Sequence, residues 1–254
     1  MTIFEAIISG MMQGVTEFLP ISSSGHLVLL HNFLGLSKPS IFFDICLHVG
    51  TLGAVMIYFR KEIFLIIRER NFFMISCLVI GTIPAIITAF LFKEHIELFF
   101  VRPRMVAVMF IVTALVLFGG QYCLRTRDKK RKVSRRGAFL IGLAQAVAIL
   151  PGVSRSGTTI SAALALGVEQ ETAFRFSFLL AIPAIMGAAC YQALNIGPSD
   201  ISMAEIPEYA VGTIVAFLVG LLALPLLLKV IRSRRLYVFG VYCLLLGVTL
   251  LFWI

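Results

Sequence analysis

Charge is scarce in this chain. Asp, Glu, Lys and Arg together make up 14% of its 254 residues, about half the share of a soluble domain. A large soluble helical core is excluded, because it would need polar helix faces that are missing here. Tryptophan occurs once. Cysteine occurs five times, at Cys46, Cys77, Cys123, Cys190 and Cys243, each alone in an apolar stretch. No CxxC pair exists, which argues against a metal knuckle or a disulfide framework and leaves these residues as packing groups. A cleavable leader is also not expected. Thr2 to Met12 is apolar, but no basic stretch precedes it and no small-residue cleavage site follows.

What fills the chain is hydrophobic sequence, 59% of all residues. Residues 72–92, 105–124, 209–228 and 236–254 are apolar runs of the length a membrane crossing needs, and 176–194 is similar. The fold expected is an all-α integral membrane protein, a polytopic helical bundle. The net charge of +9 is carried mainly by three short stretches, 60–70, 125–136 and 229–235, which hold sixteen of the 22 Lys and Arg. Basic loops stay cytoplasmic, so all three belong on one side. The run RTRDKKRKVSRR reads as a solvated loop near anionic headgroups, not as a nucleic-acid site.

Counting crossings from that side gives spans at 43–59, 72–92, 105–124, 176–194, 209–228 and 236–254. The external connections are 93–104 and 195–208. Two segments do not fit as simple spans: 2–36 and 138–168. Each is apolar, is interrupted near its middle by polar and small residues, and must return to its starting side. That pattern predicts re-entrant helix–loop–helix elements, which survive where their freed backbone is buried or lines a watery cavity. The two resemble each other. QGVTEFLPISSSGH from Gln13 aligns without gaps to QAVAILPGVSRSGT from Gln145, with Gln, Val, Ser, Ser and Gly matching at an offset of 132. Three spans follow each. One membrane domain is therefore expected, with inverted-topology repeats at 1–124 and 137–254 joined by the basic cytoplasmic loop 125–136. Paired broken helices in inverted repeats put a binding site near the midplane.

The two turns supply different chemistry. The first carries Glu17, Ser22, Ser23, Ser24 and His26, with Gln13 one helical turn before Glu17 on the same face. A carboxylate, a hydroxyl and an imidazole can serve as base, nucleophile and acid. Glu17 and Gln13 can instead ligate a hard divalent cation. The second carries Ser154, Arg155, Ser156, Thr158 and Thr159, with Gly152 and Gly157 relaxing the backbone. A helix restarting there offers free N–H groups to an anion, and the Arg155 guanidinium suits phosphate oxygens. Arg155 simply bracing Glu17 across the repeats is the plainer alternative. For His26 the plain alternative is a packed, hydrogen-bonded core histidine. Asp44 and His48, at i and i+4, read as a helix-face pair with a supporting role at best, and His31 carries less.

QGVTEFLPISSSGH followed by PGVSRSGTT resembles the undecaprenyl-diphosphate phosphatase family of the bacitracin-resistance type. That family shows an (E/Q)xxxE element leading into a Ser-rich Gly-His turn, then a PGxSRS element. Here these are Gln13 to Glu17, Ser22 to His26 and Pro151 to Ser156. The resemblance covers nearly the whole chain, including FSFLLAIP at 176–183. The first position of (E/Q)xxxE is Gln13, so this chain has one carboxylate there. The resemblance implies hydrolysis of a C55 polyprenyl diphosphate to the monophosphate carrier lipid and inorganic phosphate. It implies recycling of that lipid for peptidoglycan synthesis, with bacitracin resistance as a result. It also implies a site facing the periplasmic side of the bacterial inner membrane and an assisting divalent cation, magnesium or calcium.

On this reading Arg155 clamps the diphosphate and stabilises the transferring phosphoryl. Glu17, with Gln13, holds the cation or acts as base. Ser23 and His26 compete as nucleophile, while Ser22, Ser24, Ser154, Ser156 and Thr159 donate to phosphate oxygens. The partners are the lipid diphosphate and the bilayer, with a homodimer allowed and no nucleic acid. A polyprenyl-phosphate transporter or flippase is the alternative, since re-entrant inverted repeats are transporter architecture. The other membrane lipid-phosphatase class shares the Ser24-Gly25-His26 triplet. It then needs a histidine where Ser161 stands, and no histidine follows residue 95.

Overall fold

A computed structural model describes residues 1–33, 41–126, 131–195, 197 and 202–253. Among the described residues the chain is helical throughout and forms no strand, only an isolated bridge between Arg131 and Val168. The helices are α1 (Ile3–Phe18), α2 (Ser23–Phe33), α3 (Ile41–Tyr58), α4 (Arg60–Arg68), α5 (Phe72–Leu91), α6 (Lys93–Phe100), α7 (Pro103–Thr126), α8 (Arg135–Val147), α9 (Arg155–Ala165), α10 (Gln170–Leu194), α11 (Ile206–Arg232) and α12 (Tyr237–Trp253). Five of them, α3, α5, α7, α10 and α11 with its leading turn, are long and apolar enough to cross a membrane. The sixth expected span is α12, apolar but 17 residues long. The protein is thus a multi-pass membrane protein.

Local chemistry sets the ends. Thr2 and Glu5 form a reciprocal cap at the start of α1. Pro20 disfavours helical backbone at the residue before it, and α1 ends at Phe18 with Leu19 extended. Ser134 caps α8 by accepting from the Gly137 amide at 3.1 Å. That helix ends before Pro151, and Gly152 takes the left-handed backbone (φ 97°) that the turn requires. So both segments expected to break do break, at 19–22 and 148–154.

Two short helices, α4 and α6, occupy stretches expected as a basic loop and an external connection. At nine and eight residues they are too short for periodicity to reveal. Neither buries a residue. α4 exposes Phe64, Leu65 and Ile67 beside Arg60, Lys61 and Arg68, the pattern of an interfacial helix. Part of the expected basic run, 127–130, and much of the expected connection 195–208 lie outside the described residues.

The packing is paired. α1 lies along α11 and α8 along α5, while α7 packs on α12 and α3 on α10. Glycine permits the two close crossings. A β-carbon at Gly10 would strike the carbonyl oxygen of Gly212, and one at Gly142 would strike that of Gly81. Gly10 and Gly142 stand 132 residues apart, the offset of the sequence match.

The ends of the helices record which side each begins on. The Met1 ammonium bonds Glu205 at 2.5 Å, just before α11, whose other end carries Lys229 and Arg232. α8 begins where Arg135 bonds Ser76 of α5 at 3.0 Å, just after the basic stretch 60–70. α9 returns to that same end, where the Arg131 amide bonds the Gly167 carbonyl at 3.3 Å.

Candidate active site

The site is built where the two broken segments meet. α2 starts at Ser23 and α9 at Arg155, and the first amides of a helix have no partner within it. The turns interlock reciprocally. Gly25 packs on Gly152, and Gly157 on Pro20, each pair again at matching offsets. Their internal bonds also match. The Ser22 and Ser154 hydroxyls accept from the Gly25 (3.4 Å) and Gly157 (3.1 Å) amides. The His26 and Thr158 amides donate to the carbonyls of the same two serines. Ser24 Oγ lies 3.4 Å from Ser22 Oγ, and Ser156 Oγ lies 3.3 Å from Ser154 Oγ.

At the junction stands Glu17, its side chain 6% exposed. One carboxylate oxygen, Oε1, accepts from Arg155 Nη2 in an ion pair across 138 residues of chain. The other, Oε2, accepts from the Ser23 hydroxyl at 2.5 Å and from the Gln13 amide at 3.1 Å. Arg155 keeps further N–H donors beyond the one given to Glu17, and its side chain is 17% exposed. Glu17, Ser23, Arg155 and Gln13 are therefore brought together. Beneath Glu17 the neighbouring Phe18 packs edge-on to Phe178, which packs with Phe59 and Phe174.

His26 is placed differently. Nδ1 donates to the Ser22 carbonyl at 2.7 Å, so Nε2 accepts from the Tyr242 hydroxyl at 2.8 Å. The ring also meets Phe110 edge-on. Both nitrogens are taken, and the plainer reading of His26 describes its surroundings. Several expected phosphate donors are likewise taken by the protein. Ser22 also receives the Gly152 amide at 3.1 Å. Ser156 reaches the Leu19 carbonyl at 3.4 Å, and Thr159, fully buried, donates to the Arg155 carbonyl at 2.8 Å beside Ser177. These hydroxyls hold the turns, while Ser23 and Ser24 stay partly exposed.

A resident cation does not fit this donor set. Glu17 Oε2 already accepts two hydrogen bonds and Oε1 faces a guanidinium. The Gln13 oxygen is buried without a partner, but its amide nitrogen is the group turned to Glu17. Among the described residues no three or more of His, Cys, Asp and Glu gather as a metal site.

Two contributors, Tyr242 and Thr113, escaped the sequence reading, and His48, read there only as half of a helix-face pair with Asp44, meets a partner that reading did not give it. Tyr242 comes from the last helix. Thr113 of α7 donates to the Gly152 carbonyl at 2.7 Å and accepts from the Ser154 amide at 3.0 Å, fixing the second turn. His48 brings Nε2 to 3.9 Å from Glu17 Oε2, and its Nδ1 bonds the Asp44 backbone carbonyl, not the carboxylate. Only the Asp44–His48 spacing could have pointed to the last, and it gave no partner.

Comparison with known proteins matches residues 6–249 to the family of the bacitracin resistance protein BacA. The chain is 42% identical to the undecaprenyl-diphosphatase of Syntrophotalea carbinolica, over 97% of both chains. It is 40% identical to that of Carboxydothermus hydrogenoformans, over 99% of this chain and 97% of the other. It is 38% identical to that of Aliivibrio salmonicida, over 100% and 99%.

Proposed function

The chain belongs to the bacitracin resistance protein BacA family, and from that premise we propose that it is an undecaprenyl-diphosphatase working through Glu17, Ser23 and Arg155. It hydrolyses the phosphoanhydride of the C55 lipid diphosphate, releasing phosphate and returning the monophosphate carrier to cell-wall synthesis. One observation carries the assignment of roles. A single buried carboxylate touches a hydroxyl from its own turn and a guanidinium from the other.

In the reaction, Arg155 and the first amides of α9 and α2 hold the diphosphate oxygens. Ser23 passes its proton to Glu17 Oε2. Its Oγ forms a bond to the terminal phosphorus, and the bridging P–O bond breaks with its electron pair leaving on the lipid monophosphate. Water then releases phosphate from Ser23. Charge stabilisation and positioning supply most of the rate. His26, held by Tyr242, shapes the turn that presents Ser23. Magnesium or calcium enters, on this reading, with the diphosphate it neutralises, not as a resident ion.

The reading extends to architecture. The two repeats are 1–124 and 137–254, of inverted topology, each opening with a re-entrant pair. The reciprocal turn contacts, the paired packing and the opposite starting ends of α1 and α8 support it. At about 1.5 Å per residue, α8 runs roughly 20 Å inward to the turn and α9 roughly 17 Å back, lengths that put the turn inside a bilayer of about 40–45 Å with its headgroups, near mid-depth. The basic ends face the cytoplasm of a bacterial cell and the site opens to the outer side. No second copy is required, because all three groups come from one chain.

The test is phosphate release from undecaprenyl diphosphate by the purified protein in detergent, with and without chelator, beside Glu17→Ala, Ser23→Ala and Arg155→Ala. Release that depends on all three residues is the expected result. A folded wild-type protein that binds the lipid yet releases no phosphate, with divalent cation present, leaves a polyprenyl-phosphate transporter as the better reading. The repeat geometry favours that second reading.

A further inference from the structure

We infer that His48 is a positioning residue for the phosphatase reaction: it takes from Glu17 the proton that Ser23 gives up. The inference rests on the function proposed above and adds a step to it.

The argument begins with what Glu17 can do with a proton. Oε2 accepts from Ser23 and from Gln13, and Oε1 accepts from Arg155. Once Ser23 has handed over its hydrogen, Oε2 carries an O–H that needs an acceptor. Gln13 turns its NH2 to that oxygen and cannot accept there. Arg155 has donors only. The neutral carboxyl would also release its hold on Arg155 as the phosphoryl group transfers. A nearby acceptor that restores the carboxylate solves both problems.

His48 fits that need. Its Nδ1 lies 2.8 Å from the Asp44 carbonyl oxygen, which can only accept, so Nδ1 carries the hydrogen. The lone pair of the neutral ring is then on Nε2, 3.9 Å from Glu17 Oε2. That gap closes by a small side-chain movement or by one bridging water. The side chain is 32% exposed, so the ring is not sealed inside the protein. Behind it, Asp44 interacts electrostatically with both His48 and His31, and Asp44 Oδ1 and His31 Nε2 are buried without hydrogen-bond partners.

Among the described residues, few other charges bear on His48. Glu17 faces it from α1, Arg155 of α9 stands behind Glu17, and His31 of α2 stands behind Asp44. α10 and α11 bring Arg175 and Arg232 to the far end of α3, near Tyr58. Tyr209 of α11 meets Phe42 edge-on and Phe43 at a tilt at the start of α3.

The step balances. The Ser23 O–H bond breaks and its hydrogen goes to Glu17 Oε2. That hydrogen then moves to His48 Nε2, leaving Glu17 anionic beside Arg155. In the second half, water gives a proton to Glu17, its hydroxide bonds to phosphorus and the P–Oγ bond breaks. Ser23 Oγ recovers the proton from Glu17, and His48 loses its own to solvent.

The experiment compares wild type, His48→Gln and His48→Ala over a range of pH, with undecaprenyl diphosphate as substrate. Glutamine keeps size and polarity but cannot carry a proton. Its kcat is expected to fall roughly 10²-fold, the scale of a lost proton-transfer group, with KM within about twofold. The wild-type fall in kcat toward acid pH is expected to vanish in His48→Gln. Added imidazole is expected to restore part of the His48→Ala rate, which a merely structural role would not allow. Wild-type kcat and an unchanged acid limb in His48→Gln, or no imidazole rescue in folded His48→Ala, overturn the inference. A wild-type enzyme that releases no phosphate overturns the phosphatase reading instead.

Discussion

The two broken turns share a backbone and divide the chemistry. At offset 132, Ser22 matches Ser154, Ser24 matches Ser156, and Gly25 matches Gly157. These matched positions make the matched hydrogen bonds. The unmatched positions differ in chemistry. Glu17 stands opposite Ile149, Ser23 opposite Arg155, and His26 opposite Thr158. The acid and the hydroxyl thus stand on one turn and the guanidinium on the other, and the Glu17–Arg155 ion pair joins the two. On the function proposed above, the matched positions form the scaffold and the unmatched ones supply the reacting groups.

The strongest way to break the comparison is to cut the ion pair. Glu17→Ala strands a largely buried guanidinium and is expected to cost about 3 kcal/mol of stability. Activity should drop on the order of 10³-fold. The double variant Glu17→Ala/Arg155→Ala should regain most of the stability and none of the activity. Thermal unfolding and phosphate release in detergent measure both, and a double variant that hydrolyses lipid would reduce the pair to a brace.

The matched crossings come next. Gly10→Val and Gly142→Val should each force a helix pair apart and cost about 1–3 kcal/mol. Similar losses in the unfolding midpoint support equivalence of the repeats, and a loss at only one of them argues against it.

A finer contrast lies between the capping serines. Ser154→Ala should cost about 1 kcal/mol, the usual worth of such a cap. Ser22→Ala should cost about 1 kcal/mol more, since Ser22 also holds the Gly152 amide of the other turn. Equal costs would mean that the bond between the turns adds nothing.

The smallest effect concerns the outer edge. The Met1 amino group is held above its ordinary value, mainly by its hydrogen bond to Glu205. A raised folded value means the contribution is full below the unfolded value and is lost as pH rises through the folded one. Glu205→Gln should therefore lower stability by about 0.5 kcal/mol near neutral pH and by nothing at strongly alkaline pH. Unfolding midpoints at the two pH values test it.

The long spans and both breaks were legible because charge-free runs and Pro20 or Pro151 act through the local chain. Glu17, Ser23 and Arg155 were legible because they sit on the two matched motifs. α4 and α6 were not, being shorter than the period that would reveal them. Tyr242, Thr113 and the meeting of His48 with Glu17 were hidden for another reason. Each reaches the site from a separate helix, and packing between helices leaves no local pattern. The inward turning of Ser156 and Thr159 was hidden too, since a hydroxyl reads the same whether it meets phosphate or a carbonyl.

One bond also bears on how the molecule is made. The His26 ring relies on Tyr242, a residue 216 positions later. A ribosome delivers the first turn early, the Arg155 turn midway and the helix bearing Tyr242 last among the described helices. Nascent chains still lacking that helix hold a His26 ring without its Tyr242 partner, so the first turn gains its last contact only when the helix bearing Tyr242 joins the bundle.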